Sequence, residues 1–306
     1  MQIFRHFDEL QALRHPVHWA MGFFDGVHIG HQRVILSAGS EGALRGVLTF
    51  ERHPLALLRP EQQPLLLTPD AEYKAELISR TGADVLLRLP FTPALAAMPP
   101  ADFLDALGAA CGIAGISVGA NWRFGRGGSG TAHLLEHEGR HRGFRVCVCD
   151  LAMLGMQPVS STRIRHALQA GALEEAGALL GRPFAISGTV EHGQRLARQL
   201  GFPTANIAGL QQAALPPFGV YHVRCCVDER PLTGIANLGL RPTVHEQVKQ
   251  PRLEVHFPGW SGDLYGRRLT VELRRFLRPE RTFSGLDDLR DQICRDLASL
   301  SPSAAL

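Results

Sequence analysis

The stretch "VHWAMGFFDGVHIGHQRVILS", residues 17–37, decides the fold of the first half of the chain. Its first eight residues, 17–24, are mostly apolar and are predicted to form a buried strand, and a helix is predicted at 29–39. A glycine-containing turn separates the two, with His28 and His31 on either side of Gly30. A strand that passes through such a turn directly into a helix is the opening unit of a parallel α/β sheet.

The same alternation of strand and helix continues to about residue 171. Strands are predicted at 44–50, 83–91, 115–120 and 144–154, and helices at 70–82, 101–112 and 161–171. Alternation of this kind implies crossover connections, so we expect a doubly wound parallel sheet with helices on both faces. Such sheets bind ligands at the carboxyl ends of their strands.

After about residue 182 the pattern changes to short segments of alternating apolar and polar residues, interrupted by glycine and proline. This pattern is typical of antiparallel strands in a small barrel or sandwich, here followed by an amphipathic helix at 286–300. The length of 306 residues also favours two domains. We therefore predict an α/β domain at 1–182 and an antiparallel β-barrel domain at 183–306, joined by the linker "LLGRPFAI".

Composition limits the function classes. A net charge of +3, three Trp and three Tyr argue against a nucleic-acid surface and suit anionic small ligands. No apolar run approaches membrane-spanning length and the N-terminus lacks a signal-peptide core, so we expect a cytoplasmic protein without a membrane partner. Its partners should be small-molecule substrates, and we expect a monomer or weak homo-oligomer.

The turn at His28 and His31 has the chemistry of a phosphate site. Gly30 and His31 lie where the helix begins, so unpaired N–H groups and the positive end of the helix dipole face the ligand cleft. Two imidazoles three residues apart can contact the same phosphate oxygens and stabilise charge in a transition state. The alternative is that either histidine alone is a surface or capping residue.

A second polar cluster opens the last helix of the first half. Ser161 and Thr162 follow another serine, and Arg163 and Arg165 come within a turn. One hydroxyl is enough to cap a helix, so this set favours a triphosphate contact, with a simple cap beside a solvated charged face as the alternative.

These motifs carry a resemblance to a known family. "GFFDGVHIGH" resembles the HxGH signature of the nucleotidyltransferase superfamily, and "SSTRIR" resembles its second signature. With "LTFERHPLALLRP", "VGANWRFG" and "LLGRPF", the first half resembles the FMN adenylyltransferase module of bifunctional riboflavin kinase/FAD synthetases. The second half resembles their riboflavin kinase module in "GTVEHGQRLARQLGFPTANI", "LPPFGVYHV", "GIANLGLRPTV", "LEVHFPGWSGDLYG" and "LRPERTFSGLDDLRDQI".

For the first half, the resemblance implies attack of the FMN phosphate on the α-phosphate of ATP, which yields FAD and pyrophosphate. Catalysis would fall to His28 and His31. Contacts to ATP and its phosphates are implied for Gly22, Phe24, Gly30, Ser161, Thr162 and Arg165. Contacts to the flavin are implied for Asn121 and Phe124, although Asn121 could equally make a local turn bond.

For the second half, the resemblance implies transfer of the γ-phosphoryl group of ATP to riboflavin. Thr204 and Asn206 resemble the family's Mg²⁺ ligands, and Glu254 the general base. The remaining contacts implied are Gly188, Gly193 and Arg198 for phosphates, and Arg241, Arg278 and Glu280 for the flavin. Strand alternation alone also allows Glu254 to be an ordinary outward-facing residue.

Four positions depart from the family pattern: Arg52 replaces a proline, Gly128 an arginine, Thr131 an aspartate and Ala197 a glycine. None is a group assigned to the chemistry. Two rival hypotheses stay open, namely a single-activity nucleotidyltransferase with a regulatory flavin-binding half, and a flavin- or RNA-binding protein without turnover.

Overall fold

The computed structural model describes residues 1–39, 41–192, 201–242 and 249–300. The chain divides into two compact units, neither of which is continuous in sequence. The first comprises Met1–Leu65 and Ala71–Ser161, and the second comprises Leu66–Asp70 and Thr162–Leu306. Within the described residues, no helix is both long enough and apolar enough to cross a membrane.

The first unit is a six-stranded parallel sheet with helices, which confirms the predicted α/β class. The strands lie in the order β1-β4-β3-β2-β5-β6. They are β1 (Gln2–Phe4), β2 (Val17–Met21), β3 (Leu44–Phe50), β4 (Val85–Leu89), β5 (Ile113–Gly119) and β6 (Arg145–Cys149). The helices that begin in this unit are α1 (Ile29–Ser37), α2 (Leu55–Leu58), α3 (Ala71–Ser79), α4 (Pro93–Ala97), α5 (Pro100–Ala110), α6 (Ala132–Arg142) and α7 (Ser161–Gln169).

Strand β2 is the centre of this unit because all five of its residues are buried. Trp19 is fully buried, and a Cβ at Gly46 of the neighbouring strand would lie only 2.6 Å from its ring. Glycine is therefore the residue that lets β3 pass over the indole. The chain runs from β2 to β3 and β4 on one side and returns to β5 on the other, so the sheet reverses beside β2. The HxGH turn follows β2 at this switch point, where doubly wound sheets bind ligands.

The second unit is a closed barrel of antiparallel neighbours in the order β10-β13-β12-β11-β14-β9, which confirms the predicted barrel. In sequence, a small hairpin of β7 (Met153–Leu154) and β8 (Gln157–Pro158) follows the strands of the parallel sheet. The barrel strands are β9 (Ala185–Glu191), β10 (Ala205–Ile207), β11 (Gly219–Val227), β12 (Arg230–Pro242), β13 (Lys249–His256) and β14 (Arg268–Arg278). Its helices are α8 (Leu173–Leu180) and α9 (Leu286–Ala298).

Several short elements were not predicted from the sequence, and neither were two longer helices, α6 and α8; the short ones are β1, α2, α4, β7, β8 and β10. Helix α6 is bounded by ordinary signals, since the hydroxyl of Thr131 accepts a hydrogen bond from Leu134 N and Gly143 ends the helix in the left-handed conformation. Thr131 is one of the departures from the family pattern, and threonine and aspartate both cap helices well. The departure therefore keeps the cap. Helix α8 takes up the first residues of the predicted linker.

Candidate active sites

The turn between β2 and α1 is conformationally strained. Phe24 and Val27 have positive φ angles of 56° and 41°, and Gly26 has a φ of 83°. Positive φ is costly for bulky and β-branched residues, by about 1–3 kcal/mol each, and persists only where surrounding contacts enforce it. Such strain is typical of functional turns.

Two side chains from distant parts of the sequence hold this turn in place. The hydroxyl of Thr49, in β3, donates to the carbonyl of Phe23 at 2.9 Å. The hydroxyl of Ser161, at the start of α7, donates to the carbonyl of Asp25 at 3.0 Å across a sequence separation of 136 residues. Ser161, the second residue of the second signature, therefore contacts the turn that carries the first signature.

His28 is the N-cap residue of α1. Its Nδ1 accepts a hydrogen bond from the backbone N–H of His31 at 3.2 Å. A neutral imidazole whose Nδ1 accepts must carry its proton on Nε2, so Nε2–H of His28 is a hydrogen-bond donor. The rings of His28 and His31 are stacked, with centroids 3.5 Å apart.

His31 is held neutral by its surroundings. Burial lowers its pKa well below the ordinary value, with further contributions from His28 and Lys74. Its Nδ1 is buried without a hydrogen-bond partner among the described residues, and Phe24 packs edge-on against the ring. The pair therefore offers neutral imidazoles at the start of a helix rather than two imidazolium ions.

The two predicted glycines of this turn make room for the rings. A Cβ at Gly30 would lie 3.2 Å from the His28 ring, and a Cβ at Gly22 would lie 3.0 Å from the Phe24 ring. Both contacts are tighter than ordinary packing. The glycines thus permit the ring positions, and their contact with phosphates stays a prediction.

The other residues predicted for the first reaction have different surroundings. Thr162 and Arg165 follow Ser161 on α7 and belong to the second unit, and Thr162 is exposed. Asn121 is exposed in the loop after β5. Phe124 is buried in the core and stacks on Trp122 with ring centroids 4.7 Å apart. Its contact with a flavin stays a prediction.

The second unit contains a cavity of about 500 Å³ beside β10. Its lining residues are Val190, Pro203, Thr204, Ala205, Asn206, Val255, Phe257, Trp260, Ser261, Gly262, Asp263, Leu264 and Tyr265. Both predicted metal ligands, Thr204 and Asn206, are in this set. The Oδ1 atom of Asn206 is buried and has no hydrogen-bond partner among the described residues.

A buried amide oxygen without a partner is costly unless a ligand satisfies it, and hard oxygen donors are what Mg²⁺ prefers. The described residues contain no group of three or more His, Cys, Asp and Glu side chains that could hold a metal ion. Thr204 and Asn206 therefore fit a cation that takes most of its ligands from nucleotide phosphates and water.

Strand register places Glu254 beside Asn206. Residue 254 lies directly opposite Asn206 on β10 and directly opposite Asn237 on β12. Directly opposed residues share one face of the sheet, and Leu253 and Val255 are buried on the other face. Glu254 thus points away from the barrel interior, as the alternative reading of its strand proposed.

That outer face nevertheless lines a second cavity, of about 210 Å³. Its lining residues are Phe202, Thr204, Val220, Ile235, Ala236, Asn237, Glu254, His256, Arg278, Glu280, Arg281, Phe283, Leu289, Ile293 and Asp296. Helix α9 supplies the last three of these. Thr204 lines both cavities, so they adjoin at this residue, and Glu254 lines the smaller of the two.

The predicted flavin contacts in this cavity already have partners. Arg278 contacts both carboxylate oxygens of Asp296, with Nη2 2.7 Å from Oδ2. Glu280 accepts a hydrogen bond from Nδ2 of Asn237 at 3.0 Å. The sequence analysis missed Asn237 and Asp296, because only strand register and helix docking bring them to the cavity.

Three predicted contact residues lie partly or wholly outside the part of the chain that the structure describes. Gly193 and Arg198 fall outside the described residues, and only the backbone of Arg241 is described, in β12. Gly188 lies in β9, where a Cβ would be 2.8 Å from the side chain of Ile207. Close approach of β9 and β10 therefore accounts for this glycine, and its phosphate contact stays a prediction.

The two units together define a transferase with one module for each of two reactions. The family model described as FAD synthetase matches residues 10–163, and the model described as riboflavin kinase matches residues 180–302. The chain belongs to the family of bifunctional riboflavin kinase/FMN adenylyltransferases.

Its relatives match along nearly the whole chain. The bifunctional riboflavin kinase/FMN adenylyltransferase of Pseudomonas fluorescens is 38% identical over 100% of this chain and 98% of its own length. The enzymes of the same name from Escherichia coli K12 and Bacillus subtilis are 40% and 34% identical, each over 90% of this chain and 89% of their own length. A solved structure titled macrolide-efflux protein, from Streptococcus pneumoniae, is similar with a TM-score of 0.83, 26% identity and coverage of 99% of both chains.

Proposed function

We propose that the protein phosphorylates riboflavin to FMN and adenylylates FMN to FAD, with ATP as the donor in both steps. The adenylyltransferase module would span residues 1–182 and the kinase module residues 183–306. One observation carries the proposal furthest: Asn206, with its buried unpartnered oxygen, lies directly opposite Glu254 in register. Asn206 lines the larger cavity, Glu254 lines the smaller one, and Thr204 lines both. A cation ligand and a base placed side by side are what phosphoryl transfer to a hydroxyl requires.

In the first reaction, a phosphate oxygen of FMN forms a bond to the α-phosphorus of ATP, and the bond to the bridging oxygen breaks to release pyrophosphate. The FMN phosphate is already ionised at neutral pH, so the site needs no strong base. The Nε2–H of His28, neutral His31 and the N–H groups of α1 stabilise the charge that builds up on the phosphoryl oxygens. Ser161 holds the turn, and Thr162 and Arg165 would bind the triphosphate.

In the second reaction, the 5′-hydroxyl oxygen of riboflavin bonds to the γ-phosphorus of ATP, and the bond to the β–γ bridging oxygen breaks to release ADP. Glu254 accepts the proton of the hydroxyl. Both reactions use ATP with a divalent cation, for which we propose Mg²⁺. Thr204 and Asn206 would hold this cation, which supplies neutralisation of phosphate charge when bound.

The flavin would occupy the smaller cavity under α9, beside Arg278 and Glu280, with Arg241 as a further contact. In the first module, Asn121 and Phe124 would contact FMN. We further propose that the protein acts in the cytoplasm as a monomer or weak homo-oligomer, and that its partners are these small molecules rather than nucleic acid or membrane.

A direct test incubates the purified protein with riboflavin, ATP and Mg²⁺ and separates riboflavin, FMN and FAD by chromatography. His28→Ala should stop FAD formation while FMN still accumulates, because none of the described residues that line the two barrel cavities belongs to this turn. Equal loss of FMN formation and FAD formation in His28→Ala would contradict independent sites. FAD formed only from supplied FMN would favour the single-activity nucleotidyltransferase, and binding without any product would favour a non-enzymatic flavin binder.

A further inference from the structure

Lys74 is a buried lysine that the reactions described so far do not use. It lies on α3 and is 6% exposed, between other buried residues of the same helix. Its Nζ lies 3.9 Å from the centroid of the Phe23 ring, a cation–π distance. Phe23 is part of the strained turn, and its carbonyl accepts the hydrogen bond from Thr49. Helix α3 therefore places an amine directly against the turn that carries the histidine pair.

Composition makes this lysine unusual. Of the 32 Lys and Arg residues in the chain only two, Lys74 and Lys249, are lysines. Arginine stays charged at all accessible pH values, whereas a buried lysine can lose its proton. A chain that otherwise uses arginine almost throughout thus has the one lysine of its first unit packed against the HxGH turn.

The charges around Lys74 act in opposite directions. Burial lowers its pKa to about 7, Asp25 opposes this decrease and Arg88 adds to it. Arg88 is itself paired with Glu72 at 3.0 Å. Lys74 in turn lowers the pKa of His31. The charge of Lys74 therefore interacts with His31 and with the carboxylate of Asp25.

We infer that Lys74 is a positioning residue of the adenylyltransferase site. Its ammonium, which packs against the Phe23 ring, balances the phosphate charge of the bound substrates. Because Lys74 takes the proton that these phosphates favour, His31 stays neutral. This inference rests on the proposed adenylylation of FMN. Anions that bind at the start of α1 favour the charged form of a nearby amine. Lys74 takes up a proton from solvent as the phosphates bind, and releases it when FAD and pyrophosphate leave.

The alternative is that Lys74 only packs against Phe23. Two variants separate the possibilities. Lys74→Met keeps an unbranched apolar chain and removes the amine, whereas Lys74→Arg keeps the charge and removes the titration. Arg80→Met, at the exposed position directly after α3, is the matched control because Arg80 pairs only with Glu76 in the described residues.

The first readout is the pH profile of kcat/KM for FMN adenylylation, which reports ionisations of the free enzyme. In the wild-type protein kcat/KM should fall as pH rises above about 7, where Lys74 loses its proton. Lys74→Met should lose about tenfold or more at pH 7 and show no such limb. Lys74→Arg should recover most of the rate, also without the limb, and Arg80→Met should keep the wild-type profile.

The second readout uses the two lysines directly. Protein labelled with ¹³C at the lysine ε-carbon should give two side-chain NMR signals, and Lys74→Arg assigns them. The Lys74 signal should titrate near pH 7 in the free protein. Addition of FAD with pyrophosphate should raise its pKa by about one unit or more, while the Lys249 signal stays unchanged.

The outcomes are distinguishable from failure of the proposed function. If wild-type protein makes no FAD from FMN and ATP, the adenylyltransferase proposal itself falls. If it makes FAD, and Lys74→Met keeps both the rate and the high-pH limb, or the Lys74 signal does not move with bound product, then Lys74 is a packing residue and the inference is wrong. Amide hydrogen exchange of peptides from the parallel sheet, measured in parallel, shows whether the first unit of each variant is folded.

Discussion

The ion pair between Arg278 and Asp296 should be the strongest polar link between the barrel and its last helix. The guanidinium makes three contacts of 2.7–3.0 Å with the carboxylate. The two side chains are 12% and 6% exposed. Gln292 donates a further hydrogen bond to Asp296 at 2.8 Å. Both charges are therefore largely removed from water, and each depends on the other.

Asp296→Ala should cost the barrel unit about 3–5 kcal/mol, because it leaves a buried guanidinium without a counter-charge. The matched control is Glu272→Ala on β14, the strand that also contains Arg278. The Glu272 carboxylate lies 3.3 Å from the guanidinium of Arg274, and these two side chains are 40% and 37% exposed. Removal of an exposed pair of this kind costs below about 1 kcal/mol.

Amide hydrogen exchange measured by mass spectrometry resolves the effect by segment. Peptides that cover β14 and α9 should exchange roughly 10²- to 4 × 10³-fold faster in Asp296→Ala, which is the loss of about 3–5 kcal/mol converted at about 1.4 kcal/mol per decade. Peptides of the parallel sheet should keep their rates. Since the pair lines the smaller cavity, the KM for riboflavin should rise as well. Equal exchange rates in Asp296→Ala and Glu272→Ala would refute the reasoning.

Three further predictions follow from single positions. Gly46→Ala should lower the stability of the first unit by about 1–3 kcal/mol, since its Cβ would lie 2.4 Å from Val17 and 2.6 Å from Trp19. On heating, this variant should lose FAD formation before FMN formation. Loss in the opposite order would contradict the prediction. Asn206→Ala should stop FMN formation but leave FAD formation from supplied FMN. Asn206→Asp should still form FMN because it keeps an oxygen ligand. Equal rates of FMN formation in the two variants would argue against a ligand role. The pKa of Lys74 falls from 10.5 to about 7 on folding, so the unfolded state binds more protons between these pH values and the free energy of unfolding should rise with pH there. The urea midpoint of Lys74→Met should lack this rise. The same pH dependence in wild-type and Lys74→Met protein would show that the lysine is not buried.

Local sequence pattern was sufficient for the elements with strong periodicity. Strand β2, helix α1 and the five longer barrel strands follow from apolar runs or alternation. Strand β1 is only three residues long, and α6 has few apolar residues, so neither has a clear pattern. Helix α6 still had its two boundary signals, Thr131 and Gly143. Capping residues can therefore identify a surface helix that hydrophobicity does not.

The candidate sites divide in the same way. The spacing of His28 and His31 was informative because a helix start is a local structure. The bond from Ser161 to the turn depends on sheet topology, and Asn237 reaches Glu254 only through strand pairing, so neither contact has a local signal. Lys74 had one signal, a charged residue among apolar positions of a helix, and its importance emerges only from burial beside Phe23.

The ladder that aligns Asn206, Glu254 and Asn237 has a consequence for how the kinase module can vary in length. Side chains alternate between the two faces of a strand, so one inserted or deleted residue within 251–255 would exchange Glu254 for an apolar neighbour on the outer face. The barrel could still close, yet it would have no base. Natural insertions and deletions should therefore occur in the connections between strands. A one-residue shift in the pairing register of β13 should abolish riboflavin phosphorylation without unfolding the protein.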